Sequence, residues 1–161
     1  MAEPQTDPRL EQLAIQEMLT RCERDVLMYA RFVRTRDESD PENPVKRFPV
    51  DSKPYVARLL SDFQEHQRVA VAKSRQILAT WTACVYLTWH ARFKPHQSCV
   101  LITQKWDDAV ERVATAGSAS REGVYAGRCQ FIESNLPTWL RQKVTSSEGK
   151  LLYPNGSIVE A

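Results

Sequence analysis

Apolar residues return at helical spacing near the start of the chain, at Leu10, Leu13, Ile15, Met18 and Leu19. The pattern predicts a helix from Pro8 to about Val33, with Asp7 as its cap, Pro8 at its first position and a break near Cys22. The rhythm then stops. Thr35 to Pro49, TRDESDPENPVKRFP, combines charge with three prolines and no apolar period, and reads as an exposed connection. It divides an N-terminal helical region and linker, residues 1–49, from the rest of the chain, residues 50–161.

Beyond the connection, Asp51 and Ser52 are placed to cap a helix that starts near Pro54, carries Val56, Leu59, Leu60 and Phe63 on one face, and ends around His66. The period then changes to that of strands. Arg68 to Ala72, RVAVA, reads as a short strand, and Ser98 to Thr103, SCVLIT, as a second one suited to a sheet buried on both faces. Between them, TWTACVYLTWHARF from Thr80 to Phe93 is apolar around most of its circumference, as a helix packed on a sheet must be. That order predicts a βαβ unit of two parallel strands with a right-handed crossover. Helices are expected from Trp106 to about Gly117 and within Cys129 to Leu140, the latter stopped at Leu136 by Pro137. Lys150 to Tyr153 and Ser157 to Val159 flank Pro154, Asn155 and Gly156 and predict a hairpin. The fold class is α/β.

Bulk properties narrow this only a little. With 161 residues and 42% hydrophobic content the chain has material for one domain or part of one. Twenty-two basic against twenty acidic residues leave a formal charge of +2, too small to argue for nucleic acid. Cys22, Cys84, Cys99 and Cys129 show no CxxC pairing and read as small buried hydrophobes in a reducing compartment. The N-terminal residues lack a signal-peptide pattern, and no run reaches the roughly 18 apolar residues of a membrane span, so a cytosolic location is expected.

The loop between RVAVA and the apolar helix runs Lys73, Ser74, Arg75, Gln76, Ile77, Leu78, Ala79. A strand that feeds a helix through a short loop offers free amides and the positive end of the helix dipole, a setting for a polyphosphate. The P-loop signature GxxxxGK[ST] adds glycines for curvature, a lysine for the terminal phosphates and a hydroxyl for Mg²⁺. Only the hydroxyl, Thr80, stands where the signature places it; the glycines are missing and the lysine position is Ala79.

The string from Lys73 to Trp81, preceded by VAVA and followed by an aromatic-rich helix, nevertheless resembles the deviant Walker A region of tailed-bacteriophage terminase large subunits. The likeness continues through VLITQK at Val100 to Lys105, through the helix around Ile132 to Leu140 with its Leu-Pro end, and through the NGS hairpin in LYPNGSIVEA. It covers residues 54–161, about two thirds of the chain. The resemblance implies an incomplete three-layer P-loop NTPase core of the ASCE type, with an N-terminal helical appendage. It implies ATP and Mg²⁺ as cofactors, a nucleotide site of Lys73, Ser74, Arg75, Gln76, Ile77, Leu78, Ala79 and Thr80, with Tyr55 beside it, and Thr80 as the metal ligand. Many members carry the essential basic residue at the start of the loop, a role open here to Lys73 or Arg75. The implied activity is ATP hydrolysis that drives viral DNA into a procapsid in the host cytoplasm. The implied partners are double-stranded DNA, the portal protein, the small terminase subunit and further copies of the large subunit in a ring.

Two departures stand against the pattern. The family's Tyr-Gln pair, whose glutamine reads adenine, falls on Tyr55 and Val56, so the glutamine is unmatched; Asp62, Phe63 and Gln64 lie too close to the strand and read as the end of a packing helix. No apolar run ends in the Asp-Glu pair that supports Mg²⁺ and orients the attacking water, and no acid-rich nuclease region follows, so the expectation is the front part of a longer protein with little turnover of its own. A helicase-like ATPase and a non-catalytic binding module remain alternatives. Elsewhere Trp81 and Trp89 read as packing residues, His66, His90 and His96 share no metal spacing, and Arg21, Arg24, Arg31, Arg34, Lys46 and Arg47 read as a solvated face.

Overall fold

The computed structural model describes residues 8–37, 39–74, 77–115 and 127–161. Its first helical stretch is two helices, α1 (Pro8–Arg24) and α2 (Val26–Ala30). The expected break falls at Asp25, which leaves the helical region and accepts the Leu27 N–H at 2.8 Å, capping α2. A second residue holds the same joint from a distance. Gln64, in helix α3 (Pro54–Glu65), accepts the Val26 N–H at 2.9 Å and donates to the Arg24 carbonyl at 2.9 Å.

The stretch expected to be a bare connection contains a hairpin, β1 (Arg34–Arg36) and β2 (Val45–Arg47), with Arg34 opposite Arg47. Pro41, Pro44 and Pro49 all fall outside the ladder, where they cost no inter-strand hydrogen bond, and Phe48 just beyond it is buried. The capping role expected of Asp51 and Ser52 is corrected. Lys53 occupies the cap position of α3 without any side-chain cap, while Asp51 accepts from Arg31 at 2.9 Å and Arg47 at 3.5 Å.

Helix α4 (Ala79–Phe93) forms the centre of the molecule, burying Trp81, Cys84, Val85, Thr88, Trp89, Ala91 and Arg92 against α2, α3 and α6 (Arg128–Ser134). Its all-round apolar surface is why it sits inside rather than on the rim. Beside it lies a four-stranded sheet in the order β3-β6-β5-β4, made of β3 (Ser98–Val100), β6 (Ile158–Glu160), β5 (Lys150–Leu152) and β4 (Thr145–Ser147). The expected β5–β6 hairpin is present; its turn places Gly156 at φ +81°, a left-handed conformation that glycine adopts without strain. Helix α5 (Trp106–Val113) follows β3, and Gly117, the expected end of that helix, lies outside the described residues.

The βαβ unit is not formed as expected. Residues 68–72 belong to no ladder, and β3 takes β6 as its parallel neighbour, Cys99 facing Val159. RVAVA has the composition of a strand, but a strand exists only with a partner, and none lies beside it among the described residues. Nor is SCVLIT buried on both faces, since Val100 is 50% and Ile102 86% exposed. What the fold establishes is a mixed α/β architecture. No helix of the described residues is long and apolar enough to cross a membrane.

A polar knot sits inside this core. Arg92 of α4 pairs with Glu133 of α6 and donates to the Leu140 carbonyl at 2.6 Å, and the Tyr153 hydroxyl donates to Glu133 at 2.9 Å. Burial pushes the Glu133 carboxyl upward, against the pull of Arg92 and of the Tyr153 hydrogen bond. Removing one partner of a buried pair strands the other charge, so Arg92→Met is expected to cost roughly 3–5 kcal/mol in urea unfolding, with much of that recovered in Arg92→Met/Glu133→Leu. A single-variant cost below about 1 kcal/mol would show the pair to be dispensable.

All four cysteines are free and buried, and burial, with Asp25 nearby, pushes the Cys22 thiol up to about 11. A thiol reagent at pH 8 is therefore expected to modify the folded chain at least about tenfold more slowly than the unfolded one. Equal rates would contradict the burial.

Candidate functional site

The predicted nucleotide loop is described at its two ends. Lys73 and Ser74 are exposed, Ile77, Leu78, Ala79 and Thr80 are half-buried, and Arg75 and Gln76 lie outside the described residues. Leu78 is the feature that organises the helix end. It stands at the cap position of α4 with φ 58° and ψ 13°, a left-handed conformation that costs a leucine about 1–2 kcal/mol. Its side chain offers no acceptor for the first turn. Its carbonyl accepts from the Thr82 N–H at 2.8 Å and from the Thr82 hydroxyl at 3.0 Å, so the helix starts abruptly behind it. The amides of Ala79, Thr80 and Trp81 therefore open α4 without intrahelical acceptors, at the positive end of a 15-residue helix. Thr80 places a hydroxyl in that first turn.

Leu78 and Trp81 face a cleft of about 530 Å³ whose other walls come from the β1–β2 hairpin, from Lys53 at the start of α3 and from Arg128 at the start of α6. Arg128 lies over the Trp81 ring at 5.7 Å, and Trp81 in turn meets Phe131 edge-on at 5.9 Å. Within the hairpin, Lys46 pairs with Asp40 at 2.6 Å and Arg47 with Asp51 at 3.5 Å. Among the described residues the carboxylate on the cleft wall is Asp37, which accepts from Ser39, the hydroxyl donating at 2.6 Å and the N–H at 3.0 Å; these bonds hold it below the usual carboxylate range.

Other sequence expectations resolve individually. Tyr55 sits in the first turn of α3, 45% exposed, and is not part of the cleft wall. Phe63 packs on Tyr86 at 5.5 Å, so the Asp62–Phe63–Gln64 string is the end of a packing helix. Trp81 and Trp89 are core residues, Trp89 donating to the Cys22 carbonyl at 2.7 Å, whereas Trp106 is 59% exposed. Among the described residues no three His, Cys, Asp or Glu side chains converge as a metal site would require.

Lys53 and Arg128 were not legible as site residues. They lie far from the loop in sequence, and the only hint was a basic residue beside each of two helix starts. No protein-family model and no curated protein sequence matches the chain.

Proposed function

We propose that the chain is the ATP-binding part of a terminase large subunit, the ATP-driven motor that moves viral DNA into a procapsid, built on an incomplete P-loop core. The observation that carries this reading is the uncapped start of α4 at Leu78, which follows directly on the Lys73–Ile77 loop and opens beside a cationic cleft. Loop amides and one of Lys73 and Arg75 neutralise the β and γ phosphates, while the Thr80 hydroxyl ligands Mg²⁺. The exposed apolar side chains of Val71, Val100 and Ile102 support a sheet that is completed by further strands along 68–72 and β3. Duplex DNA, the portal, the small subunit and neighbouring copies of the chain are the partners of such a motor.

A non-catalytic nucleotide-binding module is the second reading. It is favoured by Asp37, the described carboxylate on the cleft wall, whose Oδ1 is engaged by Ser39 rather than left for a metal or a water.

Calorimetric titration with ATP and Mg²⁺ tests the site. Lys73→Ala or Arg75→Ala is expected to weaken ATP about tenfold, the worth of one charge-assisted contact, whereas Thr80→Ala is expected to weaken only the Mg²⁺-dependent part. Unchanged affinity in all three variants would overturn the nucleotide reading. Hydrolysis by the chain alone is expected to be negligible, and a rate abolished by Thr80→Ala would instead establish a complete active centre here.

A further inference from the structure

Among the described residues, Lys46, Arg47, Lys53 and Arg128 stand on the wall of the cleft beside Leu78, together with the carboxylate of Asp37. Lys46 and Arg47 are matched by Asp40 and Asp51 outside the wall, but Lys53 and Arg128 have no carboxylate partner among the described residues. Two like charges held in one concave space repel each other, an arrangement that is unfavourable until an anion enters.

Arg128 is also held in place. It lies over the Trp81 ring at 5.7 Å, a cation–π contact that draws its guanidinium to the cleft wall and leaves its N–H groups to donate. The start of α6 is pinned at Gly127, where a Cβ would come 2.5 Å from the Ala114 nitrogen, so the helix that carries Arg128 lies tight on the end of α5. Lys53 occupies the uncapped start of the 12-residue α3, and Leu78 the uncapped start of the 15-residue α4. Two helix dipoles of adequate length thus present their positive ends to the same cavity as the unmatched cations.

We infer that this cleft is a polyphosphate-binding site in which Lys53 and Arg128 supply the charge that Ala79 cannot. A volume of about 530 Å³ accommodates a triphosphate, and guanidinium, ammonium and amide donors arranged around a cavity are the set that binds phosphate oxygens. The identity of the anion as a nucleotide triphosphate rests on the function proposed above; the existence of the anion site does not.

Calorimetry with sodium tripolyphosphate and with ATP, on the unaltered chain and on Lys53→Ala/Arg128→Ala, separates the two ideas. Both anions are expected to bind, and the double variant to weaken both by about tenfold or more and to flatten their salt dependence. Arg128→Lys keeps the charge but loses the planar fork, so its affinity should fall between those of the unaltered chain and of Arg128→Ala, and the exposed-site control Lys94→Ala/Lys143→Ala should change nothing. Thermal melting of each variant checks that the fold is kept. Undiminished binding by the folded double variant overturns the inference, and if Thr80→Ala still weakens ATP with Mg²⁺ the nucleotide reading survives without it. Tripolyphosphate binding lost in the double variant, with ATP not bound, keeps the anion site and sinks the nucleotide reading. If neither anion binds, both fall. A duplex oligonucleotide that displaces tripolyphosphate at equal phosphate concentration would assign the cleft to a DNA backbone and also overturn the inference.

Discussion

The buried knot of Arg92, Glu133 and Tyr153 is the constraint around which the rest is arranged. Each member comes from a different element: α4, α6 and the turn that joins β5 to β6. A charge with no route to water must be met by fixed partners, so these elements have one mutual arrangement in which no large penalty is incurred. Asn155 reinforces it from the hairpin turn by donating to the Ala91 carbonyl at 2.9 Å and the Arg92 carbonyl at 3.0 Å, closing the end of α4. The far end of the same helix is the one left open at Leu78. The helix is thus fastened at its C-terminal end and carries no side-chain cap at its N-terminal one.

How far this was readable beforehand depends on whether a feature is made by neighbours in sequence. The apolar circumference of α4, the Leu136–Pro137 stop after α6 and the Asn155–Gly156 turn are local, and each appears where the chain predicts it. Residues 68–72 show the opposite case: local composition favours a strand, yet strand formation depends on a partner that composition cannot name. The β1–β2 hairpin was obscured because its three-residue strands sit among prolines and charges that normally mark a connection. Lys53 and Arg128 were invisible for a related reason, since a cleft is a property of distant segments brought together.

The loop departs from the P-loop signature in residue identity but shares one backbone feature with it. Glycines in the usual pattern provide left-handed backbone and close approach. Here a leucine takes the left-handed position, held there by packing against the core. Charge that the signature concentrates in one lysine is distributed over the cleft wall, on residues that α3 and α6 carry. Judged by residue identity the loop is poor; judged by donors around a cavity it is well supplied.

Gln64 gives the N-terminal helix a mechanical character. At 17 residues α1 is a rod of about 25 Å, and of its side chains only Cys22 is buried, while Leu10 and Leu13 near its outer end are 61% and 66% exposed. Its inner end is clasped by a residue of α3, and the opposite end of α3 borders the cleft. That inner end is tied to two further elements, by Gln64 of α3 at the Arg24 carbonyl and by Trp89 of α4 at the Cys22 carbonyl, so the rod is anchored to the core at one end only.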